Sequence, residues 1–217
     1  MERVDISGGA NNEAIALAIK GIRDGYIICA PAEHGYIFLV DAFSEFAVRA
    51  MHVLRGDGNG TSAQVMIASG ETLPGIARDL SEDVMALTQE FWPGLLSLNL
   101  RPSHGLSWDL GDANQLDRFS VRSPRSTFLQ SILAGSGPLA VASASRAGEP
   151  PMRSLDSLHV REFDLAAIFD AGELDGGPLT TIIEADLTGM TIIRESAISR
   201  EQLAAVVPAL SPDKPIS

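Results

Sequence analysis

Residues Gly137–Pro151 read GPLAVASASRAGEPP, an apolar segment that opens into a run of small and polar residues. The segment from Pro138 to Ala142 is short, apolar and preceded by turn residues, which predicts a buried strand. The hydroxyl-rich stretch after it predicts a loop that ends at two prolines. Polar groups at the carboxyl end of a buried strand indicate a ligand-binding position in an open α/β sheet. The alternative interpretation is a strand followed by an ordinary surface loop.

Strands and helices are predicted to alternate along the rest of the chain. Apolar residues at helical spacing predict helices over 15–22, 43–54, 81–91, 128–133, 154–162 and 200–207. Short apolar or β-branched runs predict strands over 26–30, 36–40, 64–68, 95–100, 119–122, 138–142, 165–169, 180–183 and 191–194. This order indicates the α/β class with a largely covered sheet. We expect one domain over 1–217, a loop over 101–116 and a frayed tail from Pro208.

Composition limits the classes of function. The net charge of −12 argues against a general nucleic-acid surface, which needs clustered lysine and arginine. The chain has only two lysines, Lys20 and Lys214, so any basic groove must be built from arginine. The single cysteine, Cys29, lies in an apolar run and is expected to be a buried thiol. The N-terminal residues lack a signal-peptide pattern and no apolar run approaches the ~20 residues of a membrane span, so we expect a soluble, cytoplasmic protein.

Four further motifs accompany the 137–151 stretch. They are FWPG at Phe91–Gly94, VRSP at Val121–Pro124, GPLTTII at Gly177–Ile183 and IRESAIS at Ile193–Ser199. In order and spacing the set resembles the YrdC family of threonylcarbamoyl-AMP synthases, whose members show FWPG, VRxP, TSANxSGxPP, STIVDL and LRxGxIS. The resemblance covers residues 15–199. It implies a YrdC-like fold, a twisted mixed sheet with flanking helices and a concave ligand-binding face.

The resemblance also implies an activity. Members of the family condense L-threonine, bicarbonate and ATP into threonylcarbamoyl-AMP and pyrophosphate, and the product feeds the modification of adenosine 37 of tRNA. ATP would be a substrate, accompanied by Mg²⁺, and no tightly bound cofactor or resident metal is expected. Such chemistry needs cationic donors for the phosphates and an arginine fork for the amino-acid carboxylate. Attack on phosphorus depends on positioning and charge stabilisation more than on a strong base.

The resemblance assigns roles to individual residues. The substrate-binding set, with the arginine of VRxP for the threonine carboxylate, is Arg122, Ser143, Thr180 and His34. The nucleotide-binding set, in which a serine stands where the family has asparagine, is Ser145, Thr181, Arg118 and Arg194. Each of these residues has a structural alternative as a turn-capping hydroxyl, a loop histidine or a surface arginine.

Two family signatures are degraded. The signature PT(D/E)TxYGL corresponds to PAEHGYIF at Pro31–Phe38, in which both threonines are lost and His34 stands in place of the second. The signature KxRP corresponds to RGDG at Arg55–Gly58. Arg55 keeps the charge of the lysine and is the predicted catalytic cation, but Asp57 stands where the arginine should be. An anion there would disfavour ATP phosphates by on the order of several kcal/mol.

The glycine cluster Gly56–Gly60 lacks a phosphate-loop pattern and is expected to be a flexible surface turn.

Three hypotheses about function remain open. The first is a threonylcarbamoyl-AMP synthase. The second is a non-catalytic YrdC-fold paralogue that binds nucleotide, RNA or a protein partner, and the third is a related carbamoyl-adenylate chemistry. Because the chain is acidic, we expect any RNA binding to be weak and to fall steeply with salt.

Overall fold

The computed structural model describes residues 2–106, 108–113, 115, 117–158 and 164–211. The α-helices in these ranges are α1 (Asn12–Arg23), α2 (Glu45–Arg55), α3 (Leu73–Ile76), α4 (Glu82–Phe91), α5 (Thr127–Ser136) and α6 (Arg200–Val206). The strands are β1 (Glu2–Asp5), β2 (Ile28–Pro31), β3 (Tyr36–Asp41), β4 (Gln64–Met66), β5 (Ala77–Arg78), β6 (Leu96–Pro102), β7 (Phe119–Arg122), β8 (Leu139–Ser143), β9 (Ala167–Asp170), β10 (Thr181–Asp186) and β11 (Gly189–Arg194).

The strands form a mixed sheet in the order β1-β9-β2-β3-β8-β4-β7-β6-β10-β11, and β5 pairs with β6 beside it. The pairs β1–β9, β9–β2, β4–β7 and β6–β10 are parallel, and the others are antiparallel. The expected α/β fold with a twisted mixed sheet is confirmed. The parallel β4–β7 pair places Met66 beside Arg122, at the centre of the sheet.

Apolar side chains cover both faces of the sheet. On one face, α1 and α5 pack through Ile22, Leu129 and Leu133 onto residues such as Leu39 and Met66. On the other face, the apolar residues of α2, α4 and α6 join the second core cluster, through Met51, Leu87 and Leu203. Helix α5 begins five residues after Arg122, the last residue of β7.

Side-chain caps explain where the helices begin. Asn11, Ser44, Ser81, Ser126 and Ser199 each accept a hydrogen bond from a backbone N–H in the first turn of the following helix. Such caps satisfy donors that have no partner inside the helix. The caps at Ser81 and Ser199 stand at the start of the helices predicted over 81–91 and 200–207.

Some predictions were wrong. The helix expected over 154–162 is only a 3₁₀ turn at Leu155–Ser157 in its described part, while residues 159–163 lie outside the described residues. The tail is not frayed at its start, because Pro208–Leu210 form a 3₁₀ turn and Leu210 is buried. Residues 212–217 lie outside the described residues. In the ranges that the structure describes, no helix is long and apolar enough to cross a membrane.

Candidate active site

A cavity of about 210 Å³ lies on the sheet face that carries α1 and α5. Its floor includes Ile37, Gln64, Met66 and Val141 from β3, β4 and β8. Its rim is formed by the segments 32–36 and 178–180, with Pro151 from the loop after β8. The cavity contains all members of the predicted substrate-binding set, namely Arg122, Ser143, Thr180 and His34. The ligand position expected at the end of β8 thus corresponds to an actual cavity.

Arg122, the last residue of β7, is held by a carboxylate. Its Nη1 and Nη2 atoms donate to Oε1 and Oε2 of Glu33, both at 2.9 Å. The two side chains are only 7% and 11% exposed. Nη1 also donates to the carbonyl oxygen of Gly94 at 3.5 Å. These bonds fix the guanidinium plane, and among the described residues they leave Nε–H and one Nη2–H without a partner, a second fork of two donors that a ligand carboxylate fits.

Glu33 is also bound by the main chain. The backbone N–H of Arg125 donates to Glu33 Oε1 at 2.7 Å. Burial raises the pKa of Glu33, but the hydrogen bonds and charge of Arg122, together with the N–H of Arg125, outweigh it, so the pKa of Glu33 is lowered. Glu33 is therefore a carboxylate at neutral pH. Glu33 stands at the acidic position of the first signature, and the sequence analysis assigned it no role.

The loop after β8 is tied together by its hydroxyls. Ser143 Oγ donates to Ser145 Oγ at 3.1 Å and accepts from the backbone N–H of Ser145 at 3.2 Å. Ser145 Oγ donates to the carbonyl oxygen of Pro150 at 2.6 Å. Ser143 lines the cavity, whereas Ser145 is 3% exposed and does not. The hydroxyl of Ser145 thus shapes the loop, and its assignment to the nucleotide stays a prediction.

The segment between β9 and β10 closes one side of the cavity. His34 Nδ1 lies 3.1 Å from the carbonyl oxygen of Asp175, and its ring packs so closely on Gly177 that a Cβ would find no room there. Arg194 donates to Thr180 twice, from Nε to the carbonyl oxygen and from Nη2 to Oγ1, each at 2.9 Å. Arg194 thereby fixes Thr180 on the rim but does not itself line the cavity.

Thr181 lies on the opposite face of β10 from Thr180. Its side chain is fully buried, and Oγ1 donates to the carbonyl oxygen of Ile198 and accepts from the backbone N–H groups of Ser196 and Ile198. These bonds join β10 to the turn before α6. The hydrogen bonds of Thr181 therefore lie away from the cavity and hold the backbone together. Its nucleotide-binding assignment stays a prediction.

Arg118 lies at a second cavity, of about 400 Å³, together with Asn99, Ser120 and Glu184. Its Nη2 donates to Asp186 Oδ2 at 2.7 Å, and its Nε lies 3.6 Å from Glu184 Oε1. The bond from Arg118 lowers the pKa of Asp186, and Thr188 contributes further. The two cavities are neighbours, because Gln64 in the first donates to Ser120 in the second. The structure does not bring Arg118 to the substrate-binding set.

Arg55, the predicted catalytic cation, does not line either of these cavities. Its Nη1 donates to Asp57 Oδ2 at 3.0 Å, and its Nε donates to the carbonyl oxygen of Ser145 at 3.3 Å. Asp57 Oδ2 is also 2.7 Å from His52 Nδ1, and the other ring nitrogen of His52 is 2.9 Å from the carbonyl oxygen of Leu110. Asp57 therefore pairs with Arg55 and His52 and does not face the substrate-binding set.

The Asp57 carboxylate is 2% exposed, so the segment Gly56–Gly60 is anchored at this residue, although Gly58 and Gly60 are exposed. A larger cavity, of about 510 Å³, lies on this side of the molecule and is lined by Arg49, His52 and Asp57. It contains none of the predicted substrate-binding residues, so the smaller cavity at Arg122 is the better candidate site. Among the described residues, no group of histidine, cysteine or carboxylate side chains is arranged to hold a metal ion.

Sequence reasoning missed Gln64 and did not connect His52 with Asp57. Gln64 is the polar first residue of a short apolar strand, and only its partners on β6 and β7 show that it lies on the cavity floor. His52 and Asp57 are separated by the end of α2. The glycine at the end of α2, Gly56, indicated that the chain turns back there and could bring Asp57 close to His52. The contact of His52 with Leu110 is long-range and had no such signal.

Comparisons with known proteins identify a family. The Sua5/YciO/YrdC family model, described as "Telomere recombination", matches residues 20–196. A protein of Mycobacterium tuberculosis provisionally named threonylcarbamoyl-AMP synthase is 31% identical over 199 residues, which cover 90% of each chain.

Solved structures show the same fold. A structure of Sua5 from P. abyssi complexed with L-threonine superposes with a TM-score of 0.85 at 25% identity and covers 95% of this chain. This chain spans 61% of that Sua5 chain. The E. coli YciO structure has a TM-score of 0.75 at 18% identity, covers 90% of this chain and 95% of its own, and supports the fold alone. The chain is thus a member of the Sua5/YciO/YrdC family.

Proposed function

We propose that this protein is a threonylcarbamoyl-AMP synthase, which condenses L-threonine, bicarbonate and ATP and supplies the modification of adenosine 37 of tRNA. The observation that carries the proposal is the free donor edge of Arg122 in a cavity that also holds Ser143 and Thr180. The curated relatives named as this synthase, and the Sua5 structure complexed with L-threonine, support the same activity.

The cavity suits a small polar amino acid. A guanidinium fork binds a carboxylate in two parallel hydrogen bonds, and the Glu33 pair holds the fork in one orientation before the ligand arrives. The hydroxyls of Ser143 and Thr180 provide donors and acceptors for a ligand hydroxyl. A volume of about 210 Å³ fits an amino acid better than a complete nucleotide, so ATP would extend out of this cavity. The concave face beside it, towards Ser120 and Arg118, is the direction that we propose for ATP.

The test is the release of pyrophosphate from Mg²⁺–ATP. A synthase releases pyrophosphate only when L-threonine and bicarbonate are both present, and threonylcarbamoyl-AMP accumulates in equal amount. Omitting threonine, or replacing it by L-valine, which lacks the hydroxyl, is expected to reduce the rate strongly. No threonine-dependent pyrophosphate at millimolar substrates would contradict the proposal. Pyrophosphate release that needs carbamoyl phosphate but not threonine would indicate the carbamoyl-adenylate chemistry instead.

One observation favours a second candidate, a paralogue that binds ligands without turnover. The cation that the resemblance places at the triphosphate, Arg55, is paired with Asp57 and 13% exposed. A site that lacks a free cation there binds ATP phosphates less tightly. The two candidates differ in a simple way, because the paralogue binds L-threonine or ATP but forms no threonylcarbamoyl-AMP.

The remaining expectations follow from the proposed activity. We propose that Mg²⁺ enters with ATP, and that the protein acts in the cytoplasm as one YrdC-like domain over residues 1–217. The tRNA-modification machinery is an indirect partner that receives the product. Direct RNA binding stays a prediction of weak affinity, consistent with the net charge of −12.

A further inference from the structure

Gln64 lies on the cavity floor next to the predicted carboxylate site. Strands β4 and β7 are parallel, with Val65 opposite Val121 and Met66 opposite Arg122, so Gln64 lies beside Ser120. Gln64 and Arg122 are thus diagonal neighbours, at a Cα separation of about 8 Å from standard strand spacings. Both line the same cavity, so their side chains converge on the space between them.

The amide of Gln64 is placed with its nitrogen towards two serine hydroxyls. Its Nε2 donates to Ser97 Oγ and to Ser120 Oγ, both at 3.0 Å. Ser97 is fully buried, so this end of the amide faces the sheet. Both N–H donors are then used, and the side-chain oxygen has no hydrogen-bond partner among the described residues. Because Gln64 lines the cavity, this oxygen is available to a ligand there.

This acceptor complements the polar groups already present. The two oxygens of Glu33 are bound by Arg122, and one of them is also bound by the N–H of Arg125. Ser143 Oγ donates to Ser145 Oγ, and Thr180 Oγ1 accepts from Arg194. An α-amino acid whose carboxylate binds the free edge of Arg122 carries its ammonium group on the next carbon and needs an acceptor there. Gln64 is the floor residue that offers one.

We propose that the side-chain oxygen of Gln64 accepts a hydrogen bond from the α-amino group of the amino-acid substrate. Gln64 is then a specificity-determining residue that separates amino acids from carboxylic acids without an amino group. This inference rests on the proposed function, because it requires an amino acid in the cavity. It adds an assignment for a residue outside the motifs that carry the family resemblance.

The experiment is a calorimetric cycle with two ligands and three proteins. The ligands are L-threonine and 3-hydroxybutanoate, which keeps the carboxylate and hydroxyl but lacks the amino group. The proteins are the wild type, Gln64→Met, which keeps the length of the side chain without the acceptor, and Gln64→Glu, which keeps an acceptor. The matched control is Gln89→Leu, which changes an exposed glutamine on α4.

The wild type is expected to prefer L-threonine over 3-hydroxybutanoate, and Gln64→Met to reduce that preference about tenfold or more, as expected for a hydrogen bond to a charged group. Gln64→Glu and Gln89→Leu are expected to keep the preference. The carboxylate introduced by Gln64→Glu can accept from the hydroxyls of Ser97 and Ser120, so this variant also preserves the network if Gln64→Met folds poorly.

Two results would overturn the inference alone. An unchanged preference in Gln64→Met would show that the oxygen does not contact the amino group. Loss of threonine binding in Gln64→Glu would show that the amide nitrogen, not the oxygen, faces the ligand carboxylate. Failure of the wild type to bind L-threonine would overturn the proposed function as well, so the two failures are distinguishable.

Discussion

Two arginines, one at the substrate cavity and one at the loop after β8, are each held by a carboxylate, yet their surroundings differ. Arg122 and Glu33 pair through two parallel hydrogen bonds at the cavity, and among the described residues Nε–H and one Nη2–H of Arg122 have no partner. Arg55 shares one oxygen of Asp57 with His52, and neither Arg55 nor Asp57 lines the substrate cavity. An ion pair therefore does not show by itself whether a cation serves a ligand. What matters is whether the guanidinium has N–H donors that the carboxylate does not use, and whether a ligand can reach them.

The comparison changes the interpretation of Asp57. As a sequence feature, an aspartate in place of arginine predicts repulsion of ATP phosphates. In the structure its charge is balanced by Arg55 and faced by an imidazole, so the local net charge depends on three groups. The cost for ATP then lies mainly in the engagement of Arg55, whose charge is no longer free. If Arg55 left Asp57 and paired with a phosphate, its charge would again serve ATP.

The largest effect is expected for Arg122→Ala. The change removes the carboxylate fork and leaves Glu33 buried without its cation, which costs about 3 kcal/mol of unfolding free energy or more. L-threonine affinity is expected to fall at least 100-fold, as measured by calorimetry. Arg122→Lys keeps the charge without the fork, and its L-threonine affinity is expected to lie between those of the wild type and Arg122→Ala. Wild-type affinity in a folded Arg122→Ala variant would contradict the role of Arg122.

An effect of opposite sign is expected at the Arg55–Asp57 pair. Asp57→Asn removes the counter-ion of Arg55 and frees its charge, so Mg²⁺–ATP affinity is expected to rise about tenfold, or ~1.4 kcal/mol. The same change is expected to lower the unfolding free energy, because Arg55 and His52 lose a buried partner. Calorimetry and urea unfolding measure the two effects. Asp83→Asn, on the exposed side of α4, is the control. Weaker ATP binding in a folded Asp57→Asn variant would show that Asp57 assists the nucleotide.

Acid sensitivity provides a third test, at the Arg122 end. The pKa of Glu33 is lowered in the fold, so its ion pair contributes stability above the unfolded pKa of about 4.3 and loses it as pH falls through the folded value. Glu33→Gln is expected to be less stable than the wild type at pH 7 and to lose less unfolding free energy than the wild type between pH 5 and pH 3. Urea unfolding across this range measures it. Identical pH slopes for the two proteins would contradict the assigned ion pair.

The smallest effect is expected for His52→Gln. The change removes a ring that lies between the Asp57 carboxylate and the Leu110 carbonyl oxygen, and it is expected to cost about 1 kcal/mol of unfolding free energy. L-threonine affinity is expected to stay within twofold of wild type, because His52 does not touch the substrate cavity. A large loss of threonine binding would indicate that the contacts among His52, Asp57 and Arg55 are coupled to the substrate cavity.

Much of the fold was predictable from local physics. Helices such as α1 and α6 follow from an apolar stripe and a capping residue, and both are short-range signals. Strand β1 was missed because its residues, Glu2–Asp5, are mostly exposed and charged, and it is ordered only by pairing with β9. The helix expected after Ser154 was wrong because helical spacing there did not outweigh the turn that Ser154 caps.

The site was predictable only in part. The resemblance grouped Arg122, Ser143, Thr180 and His34 as one set, and all four line one cavity, while their roles stay a prediction. The partners of Arg55 could not be predicted, because the buried network depends on contacts with loop residues that are distant in the sequence. Such long-range contacts leave no periodic pattern in the sequence.

A crystal structure with bound L-threonine tests the central claim most directly. We predict that the ligand carboxylate lies about 3 Å from the Nε and Nη2 atoms of Arg122, with the Glu33 pair intact and the amino group directed to Gln64. L-threonine bound elsewhere, for instance at Arg118 or in the larger cavity at His52, would contradict the assignment of this cavity as the amino-acid site.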